Sequence, residues 1–216
     1  MSNSNLIFFD VCDTLYHENT TFDFLEFYFN SGIKAQILKT RHLFITKVLN
    51  HLSQKIFDYD FIRSYGIFTL KDESLYNLQI AAELYVKSML SDKKNEEVHT
   101  LLKHYQAEGK KIVLLSGSLD FIIKEVAKSL DVSTYYASSL NIENGTIIGS
   151  IENDLLENKQ SIIETYYTDI PYIVVTDNLS DYSIVKNATT SYILTKKRHK
   201  DFWNSLKNVQ ILKIIS

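Results

Sequence analysis

The chain has 216 residues, of which 45% are hydrophobic. That is enough for one catalytic domain with a modest insertion and too little for two full-size domains. The 23 basic and 26 acidic residues leave a formal net charge of -3, which gives no broad electrostatic reason to expect nucleic acid or a membrane as a partner. We therefore expect a small-molecule ligand.

The cysteine content and the start of the chain bear on its location. The single cysteine, Cys12, cannot form an internal disulfide, and residues 1–5 show no signal-peptide pattern. Both features favour the cytoplasm. No apolar run approaches the length of about 18 residues that spans a bilayer. Since the chain has one proline and six glycines, flexible linkers and disordered tails are not expected.

The first predicted element is a buried parallel strand over residues 5–10, an apolar run that ends in the carboxylate of Asp10. The stretch from about residue 21 to Gly109 has helical patterning, and we predict helices over residues 22–30, 34–52, 72–90 and 95–109. Asp72 opens the third of these helices, and Gly109 ends the fourth. No strand is predicted within this stretch.

After Gly109 strands and helices alternate. We predict a strand over residues 111–115, a helix over 119–130 capped by Ser118, and a short strand over 134–137. Asn144 and Gly145 lie between apolar stretches and predict a hairpin over residues 140–148, because both turn residues must adopt positive φ. The remaining predicted elements are a helix over 159–167, a strand over 172–176, a helix over 181–186, a strand over 191–194, a helix over 200–206 and a strand over 209–215.

This order of elements predicts an α/β fold with a Rossmann-like three-layer parallel sheet core, an inserted all-helical cap and a small β-hairpin. The core takes residues 1–18 and 108–216, and the cap takes residues 19–107. Function is expected where parallel strands end. An insertion after the first strand would therefore lie above Asp10 as a lid.

Four polar clusters follow predicted strands or open predicted helices, and parallel strands bring such clusters to one edge of a sheet. They are residues 10–14, residues 116–118, Lys159 and residues 176–181. Together they supply a nucleophile, hydroxyl and amide groups for phosphate, a cation and a carboxylate pair for a metal. Their order and setting resemble the four motifs of the haloacid dehalogenase superfamily, over about residues 5–190.

The helical insertion and the Asn-Gly hairpin resemble the phosphoserine-phosphatase-like subgroup of that superfamily. The resemblance implies a Mg²⁺-dependent phosphohydrolase for a small phosphomonoester, in which Asp10 attacks phosphorus and forms an aspartyl-phosphate. It implies that the Ser116 hydroxyl and the Gly117 amide bind the phosphoryl group at a helix N-terminus. Lys159 would offset charge on the nucleophile and the phosphoryl oxygens. The alternatives for that lysine are Lys124, Lys128 and Lys186.

The resemblance also implies a metal site. Asp177 and Asp181 match the acidic pair of the fourth motif, and their spacing of four lets both face one ion. With Asp10 and the backbone carbonyl of Cys12 they would complete an oxygen-rich octahedral site. A site made only of oxygen ligands is consistent with Mg²⁺ and argues against zinc.

The sequence departs from the family at Cys12, where a second aspartate normally acts as the general acid and base. A thiol has an unperturbed pKa of about 8.5, and a neighbouring carboxylate disfavours its thiolate, so Cys12 is a poor base. Asp13 is an alternative acid–base group, and Cys12 is alternatively a small buried apolar filler.

The departure at Cys12 leaves several functions open. They are a slow or selective phosphatase, a phosphoryl transferase, and a non-catalytic protein that binds a phosphorylated ligand. Dehalogenation is disfavoured, because Asp177 and Asp181 are both present.

The predicted cap offers one candidate contact with substrate. Glu26 lies in an aromatic-rich helical segment and compares with the cap carboxylate that holds the substrate amine in phosphoserine phosphatases. Arg41, His42 and Arg63 are further cap candidates without a more specific role.

Overall fold

The protein is described by a computed structural model, over residues 4–57, 60–156 and 158–215. One seven-stranded sheet forms the centre of the fold. Its strands are β1 (Leu6–Phe9), β2 (Lys111–Leu119), β3 (Thr134–Glu143), β4 (Thr146–Asn153), β5 (Tyr172–Thr176), β6 (Thr190–Lys196) and β7 (Val209–Ile215). They are ordered β4-β3-β2-β1-β5-β6-β7, and every neighbouring pair is parallel except β3 and β4.

Six of the α-helices lie between β1 and β2 and form the helical insertion that the sequence predicts. They are α1 (Thr20–Tyr28), α2 (Gly32–Lys39), α3 (Phe44–Phe57), α4 (Phe61–Phe68), α5 (Leu75–Ser88) and α6 (Glu96–Ala107). The others are α7 (Asp120–Ser129), α8 (Lys159–Tyr166), α9 (Tyr182–Asn187) and α10 (Lys200–Asn204). Among the helices within the described residues, none combines the length and apolarity needed to cross a membrane.

Helices pack on both faces of the sheet and make three layers. In β1, Ile7 and Phe9 belong to the apolar cluster that contains residues of α6 and α7. Leu6 and Phe8 belong to the opposite cluster, with residues of α8, α9 and α10. A strand that is buried on both faces reads as a continuous apolar run, which is how the sequence revealed β1. The predicted fold class is confirmed.

The predicted hairpin is also confirmed, and it joins the insertion to the sheet. Asn144 and Gly145 have φ of 49° and 78°, as a tight turn with two left-handed residues requires. The hairpin pairs with the segment before α5 through backbone hydrogen bonds: Asp72 N donates to Ile147 O at 2.9 Å, and Ile147 N donates to Glu73 O at 2.9 Å. The insertion is therefore held to the core at this point as well as at its two ends.

Within the insertion, one helix prediction is wrong and one helix was not predicted. The helix predicted over residues 34–52 is two helices, because α2 ends in a 3-10 turn and Leu43 has extended backbone with φ -64° and ψ 137°. Thr40 Oγ1 donates to Ile37 O at 2.7 Å, the kind of local bond that competes with helix continuation. Helix α4 was missed because Gly66 weakens its pattern; a Cβ there would lie 2.8 Å from the Phe22 ring.

Three local predictions are also corrected. Asp72 does not open α5, because it adopts φ of 68°, and Ser74 takes the N-cap position instead. Ser118 does not cap α7: Leu119 is the residue at that position, and the Ser118 hydroxyl bonds with Thr20. The strand predicted over residues 134–137 continues to residue 143 because it runs on into the hairpin.

Candidate active site

The predicted site residues come from three adjacent strands. Asp10 follows β1 and Asp177 follows β5, while Gly117 lies in the last part of β2. These strands are parallel neighbours, so their C-terminal ends share one edge of the sheet. The Asp10 amide donates to Val175 O at 2.9 Å and continues the strand pairing up to the carboxylate. The fold thus places three of the four sequence clusters together, and α8 brings the fourth.

Lys159 forms the buried centre of the site. Its Nζ lies 3.0 Å from Asp10 Oδ1 and 2.8 Å from Asp181 Oδ2. Asp181 Oδ2 also accepts from Thr176 Oγ1 at 2.6 Å. The exposed fractions of Lys159, Asp10 and Asp181 are only 4%, 6% and 3%. Burial alone would lower the pKa of Lys159, but the two carboxylates raise it above its ordinary value, so Lys159 is charged.

The carboxylates at the sheet edge repel one another. Burial raises the pKa of Asp10 to about 6, against the opposing effect of Lys159. Burial also raises the pKa of Asp177 to about 8, and repulsion by Asp10 and Asp13 adds to this. Thr14 lies between the two, with its Oγ1 3.1 Å from Asp177 Oδ1 and 3.4 Å from Asp10 Oδ2. The single positive charge of Lys159 does not balance the negative charges of these carboxylates. A bound cation would reduce the repulsion that remains between them.

The donors present fit Mg²⁺ better than a metal held entirely by side chains. No group of three or more histidine, cysteine, aspartate or glutamate side chains within the described residues is arranged to hold a metal. Asp181 bonds to Lys159 and Thr176 and is not among the residues that line the cleft. Of the three predicted carboxylate ligands, Asp10 and Asp177 are therefore the two that face it. Mg²⁺ is commonly held by one or two carboxylates while waters and substrate phosphate complete its shell.

Cys12 lines the cleft beside Asp10. Its Sγ lies 3.1 Å from Thr20 Oγ1, and Thr20 in turn donates to Ser118 Oγ at 2.8 Å. Burial raises the pKa of the Cys12 thiol to about 11, with a further contribution from the Asp10 charge. The thiol is therefore protonated at neutral pH, and it has little capacity to accept a proton. Asp13, the alternative acid–base group, also lines the cleft and adopts φ of 54°.

The second motif reaches the cleft through the last two of its three residues. Ser116 is fully buried, and its Oγ accepts from the Ser118 amide at 3.1 Å. Gly117 and Ser118 line the cleft. A Cβ on Gly117 would lie 2.8 Å from Leu156 Cα. The loop before α8 therefore packs directly on the Gly117 backbone, and only glycine fits there.

Arg63 of α4, which the sequence indicated only as a cap candidate without a specific role, enters the site from the insertion. Its Nη2 donates to Gly117 O at 2.8 Å and to Asp154 Oδ1 at 2.8 Å. Arg63 and Leu156 line both the catalytic cleft, of about 210 Å³, and a larger neighbouring cavity of about 840 Å³. Thr21 of α1 also lines the cleft. Because α4 was not recognised in the sequence, nothing indicated that Arg63 would face the catalytic edge.

Glu26 is placed differently from the prediction. Its Oε1 accepts from Arg41 Nε at 2.8 Å and lies 3.1 Å from His42 Nε2. Partial burial opposes the shift, but the bonds with Arg41 and His42 lower the pKa of Glu26. Glu26 is not among the residues that line the cleft. Glu26, Arg41 and His42 are thus engaged with each other rather than with the site, and of the four predicted cap residues only Arg63 lines the cleft.

Comparisons with known proteins were made against a family profile, curated sequences and solved structures. The profile of the haloacid dehalogenase-like hydrolases matches residues 7–185. No curated protein matches the chain in sequence. A protein of unknown function from Bordetella pertussis Tohama I has a TM-score of 0.78 at 14% identity, over 98% of this chain and 100% of that one.

The solved structures of two named enzymes are also similar. A substrate-bound phosphoserine phosphatase has a TM-score of 0.64 at 17% identity, covering 99% of this chain and 94% of that one. Cytosolic 5'-nucleotidase IIIB bound to cytidine has a TM-score of 0.66 at 13% identity, covering 97% and 80%. At these identities the likeness shows a shared fold.

Proposed function

The chain belongs to the haloacid dehalogenase-like hydrolase family, and from this premise we propose that it is a Mg²⁺-dependent phosphohydrolase of a small phosphomonoester. The observation that carries the proposal is the buried Asp10 carboxylate, held 3.0 Å from Lys159 at the base of a cleft. The named activities of the phosphoserine phosphatase and the nucleotidase that share the fold support it.

Asp10 acts as the nucleophile. Its carboxylate oxygen attacks phosphorus, the bond from phosphorus to the leaving oxygen breaks, and an aspartyl-phosphate forms on Asp10. Water then attacks phosphorus, the bond to Asp10 breaks, and inorganic phosphate leaves. Lys159 offsets the negative charge that both steps bring to the site. The Gly117 amide and the Ser116 hydroxyl, which still has its own proton to donate, are the proposed phosphate contacts.

Asp10, Asp177 and the backbone carbonyl of Cys12 are the groups that would hold Mg²⁺. When bound, the ion would neutralise phosphoryl oxygens beside the acidic cluster. Asp181 acts through Lys159, because its carboxylate is engaged by that ammonium at 2.8 Å. Its proposed role is therefore to position the lysine and to complete the charge balance of the site.

Cys12 makes the second step slow. The leaving oxygen needs a proton in the first step, and the attacking water must lose one in the second. A protonated thiol has no free site to accept the proton from water. We propose that hydrolysis is slow and favours good leaving groups. The reduced thiol in the cleft is consistent with the cytoplasm, which is the compartment we propose.

The helical insertion, residues 19–107, is the proposed cap over this cleft. It contributes Thr21 from α1 and Arg63 from α4 to the cleft wall. Arg63 bonds to the Gly117 carbonyl on the core side at 2.8 Å. Any leaving group bound in the cleft would therefore contact the insertion, so we propose that residues of the insertion determine substrate specificity.

Turnover of a panel of small phosphate esters, with Mg²⁺ and with excess chelator, tests the proposal. Asp10→Asn should abolish the Mg²⁺-dependent turnover, because the amide is not nucleophilic. Asp201→Asn, the same change at an exposed position on α10, is the matched control and should leave turnover unchanged. Undiminished turnover in Asp10→Asn would rule the mechanism out.

A further inference from the structure

Helix α3 carries its apolar side chains on the outside. Six large apolar side chains of this helix are exposed, with exposed fractions that reach 80% at Phe44 and 70% at Ile45. At the angular spacing of an α-helix they fall within about 140° of its circumference. The six are Phe44, Ile45, Val48, Leu49, Leu52 and Ile56. They form one continuous stripe, which we call the outer stripe.

The face of α3 toward the protein is polar. Thr46, Asn50 and Ser53 are spaced by four and three residues, and they are the less exposed described side chains of the helix. Asn50 Oδ1 accepts from the Ile62 amide at 3.0 Å, so it joins α3 to the start of α4. The amphipathic pattern of α3 is thus reversed relative to a helix that packs on a core. The hydrogen bond of Asn50 fixes the orientation of α3, and no residue of the outer stripe takes part in it.

The outer stripe is large for a surface that stays in water. Leu43, directly before α3, adds a further exposed apolar side chain with an exposed fraction of 57%. A helix of 14 residues is marginal without tertiary packing. Because the apolar face of α3 points outward, the apolar packing that would stabilise the helix has to come from a partner that covers the outer stripe.

The charge around the outer stripe indicates what covers it. Residues 31–57 contain no aspartate or glutamate, although the whole chain has a net charge of -3. The basic residues in this segment, apart from two histidines, are Lys34, Lys39, Arg41, Lys47 and Lys55. The segment that carries the outer stripe therefore has basic residues and no acidic residue of its own, although Lys34 and Arg41 pair with Glu73 and Glu26 from other segments.

Part of this positive charge is free for a partner. Lys47, His51 and Lys55 are spaced by four and form a row along one edge of the outer stripe. Lys39, Lys47 and Lys55 have no ion-pair partner among the residues that the structure describes. A row of long basic side chains beside an apolar face matches an anionic lipid surface, because the apolar groups enter the headgroup boundary while the ammonium groups meet phosphate.

We propose that α3 and its basic edge dock on an anionic membrane surface, with the helix lying in the plane of the interface. A second copy of the chain fits less well. A symmetric pair of α3 helices would bring two basic rows together with no acidic residue in the segment to offset them. The proposal does not depend on catalysis, so it stands or falls separately from the proposed function.

Sedimentation with vesicles tests the docking directly. The full chain is mixed with vesicles of phosphatidylcholine alone and with vesicles that contain phosphatidylglycerol as well. We expect the protein to sediment with the anionic vesicles and to be released by rising salt. Replacing two lysines in Lys47→Gln/Lys55→Gln should weaken binding about 30-fold, from the usual electrostatic gain per basic residue.

A matched pair of variants separates the outer stripe from exposed apolar residues in general. Leu49 on α3 and Leu84 on α5 are both 55% exposed. Leu49→Glu should weaken vesicle binding by at least about tenfold, since a leucine is no longer buried in lipid. Leu84→Glu should leave binding unchanged. Both side chains are exposed, so circular dichroism should show the same fold in each variant.

Four results would overturn the proposal. The first is that the chain does not sediment with anionic vesicles, and the second is that Leu84→Glu and Leu49→Glu weaken binding equally. The third is a dimer, seen by analytical ultracentrifugation without lipid, that Leu49→Glu dissociates, because the outer stripe would then belong to a second copy. The fourth comes from Phe44→Trp, read as the difference from the wild type, whose single Trp203 is buried. The added emission should shift to shorter wavelength with anionic vesicles, and an unshifted emission contradicts insertion.

Discussion

Replacing Cys12 with aspartate is the most direct test of the acid–base chemistry proposed for the cleft. Cys12→Asp places an acid–base group two residues after Asp10, on the wall of the same cleft. The Cys12 Sγ lies 3.1 Å from Thr20 Oγ1. A carboxyl group is only slightly longer than the thiol side chain, so it keeps a hydrogen-bond partner there and can face the reacting oxygen.

The expected gain follows from what the thiol lacks. Burial and the Asp10 charge raise the pKa of Cys12 to about 11, so its thiolate is a minor species at neutral pH. Positioned acid–base groups contribute about 10²–10⁴-fold to a rate. We therefore expect Cys12→Asp to increase steady-state turnover by about 10²-fold or more. The added acid lies near Asp10, Asp13 and Asp177, so the variant should also lose thermal stability without Mg²⁺ and recover it when the ion is added.

Steady-state turnover and the pre-steady-state burst measure this gain. The wild type should release the leaving group in a burst followed by a slow phase, because the second step limits it, and Cys12→Asp should abolish the burst by speeding the slow phase. Cys12→Asn is the matched control, because it has the size of the acid but cannot transfer the proton. Equal rates in Cys12→Asp and Cys12→Asn would refute the reasoning. No turnover in either the wild type or Cys12→Asp would favour a protein that only binds a phosphorylated ligand.

Three further predictions concern two buried positions of the cleft and one buried histidine of α6. Lys159→Met should abolish turnover and cost about 3–5 kcal/mol in urea unfolding, because it leaves buried Asp10 without its cation. Gly117→Ala should destabilise the fold by about 1–3 kcal/mol, since the new Cβ would lie 2.8 Å from Leu156 Cα. Burial lowers the pKa of His99, so stability should fall as pH drops below the unfolded value of about 6.5, and His99→Gln should reduce that slope.

Each of these predictions has a result that contradicts it. A fully active Lys159→Met would remove the lysine from the mechanism, and one of Lys124, Lys128 or Lys186 would have to be tested in its place. A Gly117→Ala variant with unchanged stability would mean that the loop at Leu156 moves freely. A stability profile for His99→Gln with the same slope as the wild type would assign the acid sensitivity to other groups.

The inner strands of the sheet were predictable because they are apolar on both faces, and the outer ones because they still contain runs of β-branched and apolar residues. The strands over residues 172–176 and 209–215 were predicted with the bounds that the structure has. Helix breaks were not predictable in the same way, because Thr40 and Leu43 carry no strong turn signal and Gly66 makes a close approach that only the fold reveals. Asp72 looked like a helix cap, although its left-handed backbone serves the pairing with the hairpin.

The catalytic edge was more predictable than the cap. Asp10, Lys159 and Asp177 could be found from the sequence because strand ends and helix starts collect polar residues at one place. Arg63 could not, because its partners at Gly117 and Asp154 are far away in sequence. These cap contacts depend on tertiary packing.

The outer stripe shows a different limit of sequence reasoning. Its apolar spacing is typical of a helix that faces a core, and only the structure shows Leu49 and Ile56 on the outside. The net charge of -3 gave no reason to expect a lipid partner. A net charge does not show how the charged residues are distributed along the chain. The lack of acidic residues in residues 31–57 is visible only when position is considered.

The covalent intermediate on Asp10 tests the central claim most directly. The wild type is mixed with a phosphate ester that has a good leaving group and with Mg²⁺, quenched in acid during the slow phase, and measured by intact-protein and peptide mass spectrometry. The account predicts the added mass of one phosphoryl group on Asp10, and less of it in Cys12→Asp, where the second step is faster. Turnover without any phosphorylated protein, or a phosphoryl group on a residue other than Asp10, would contradict the account.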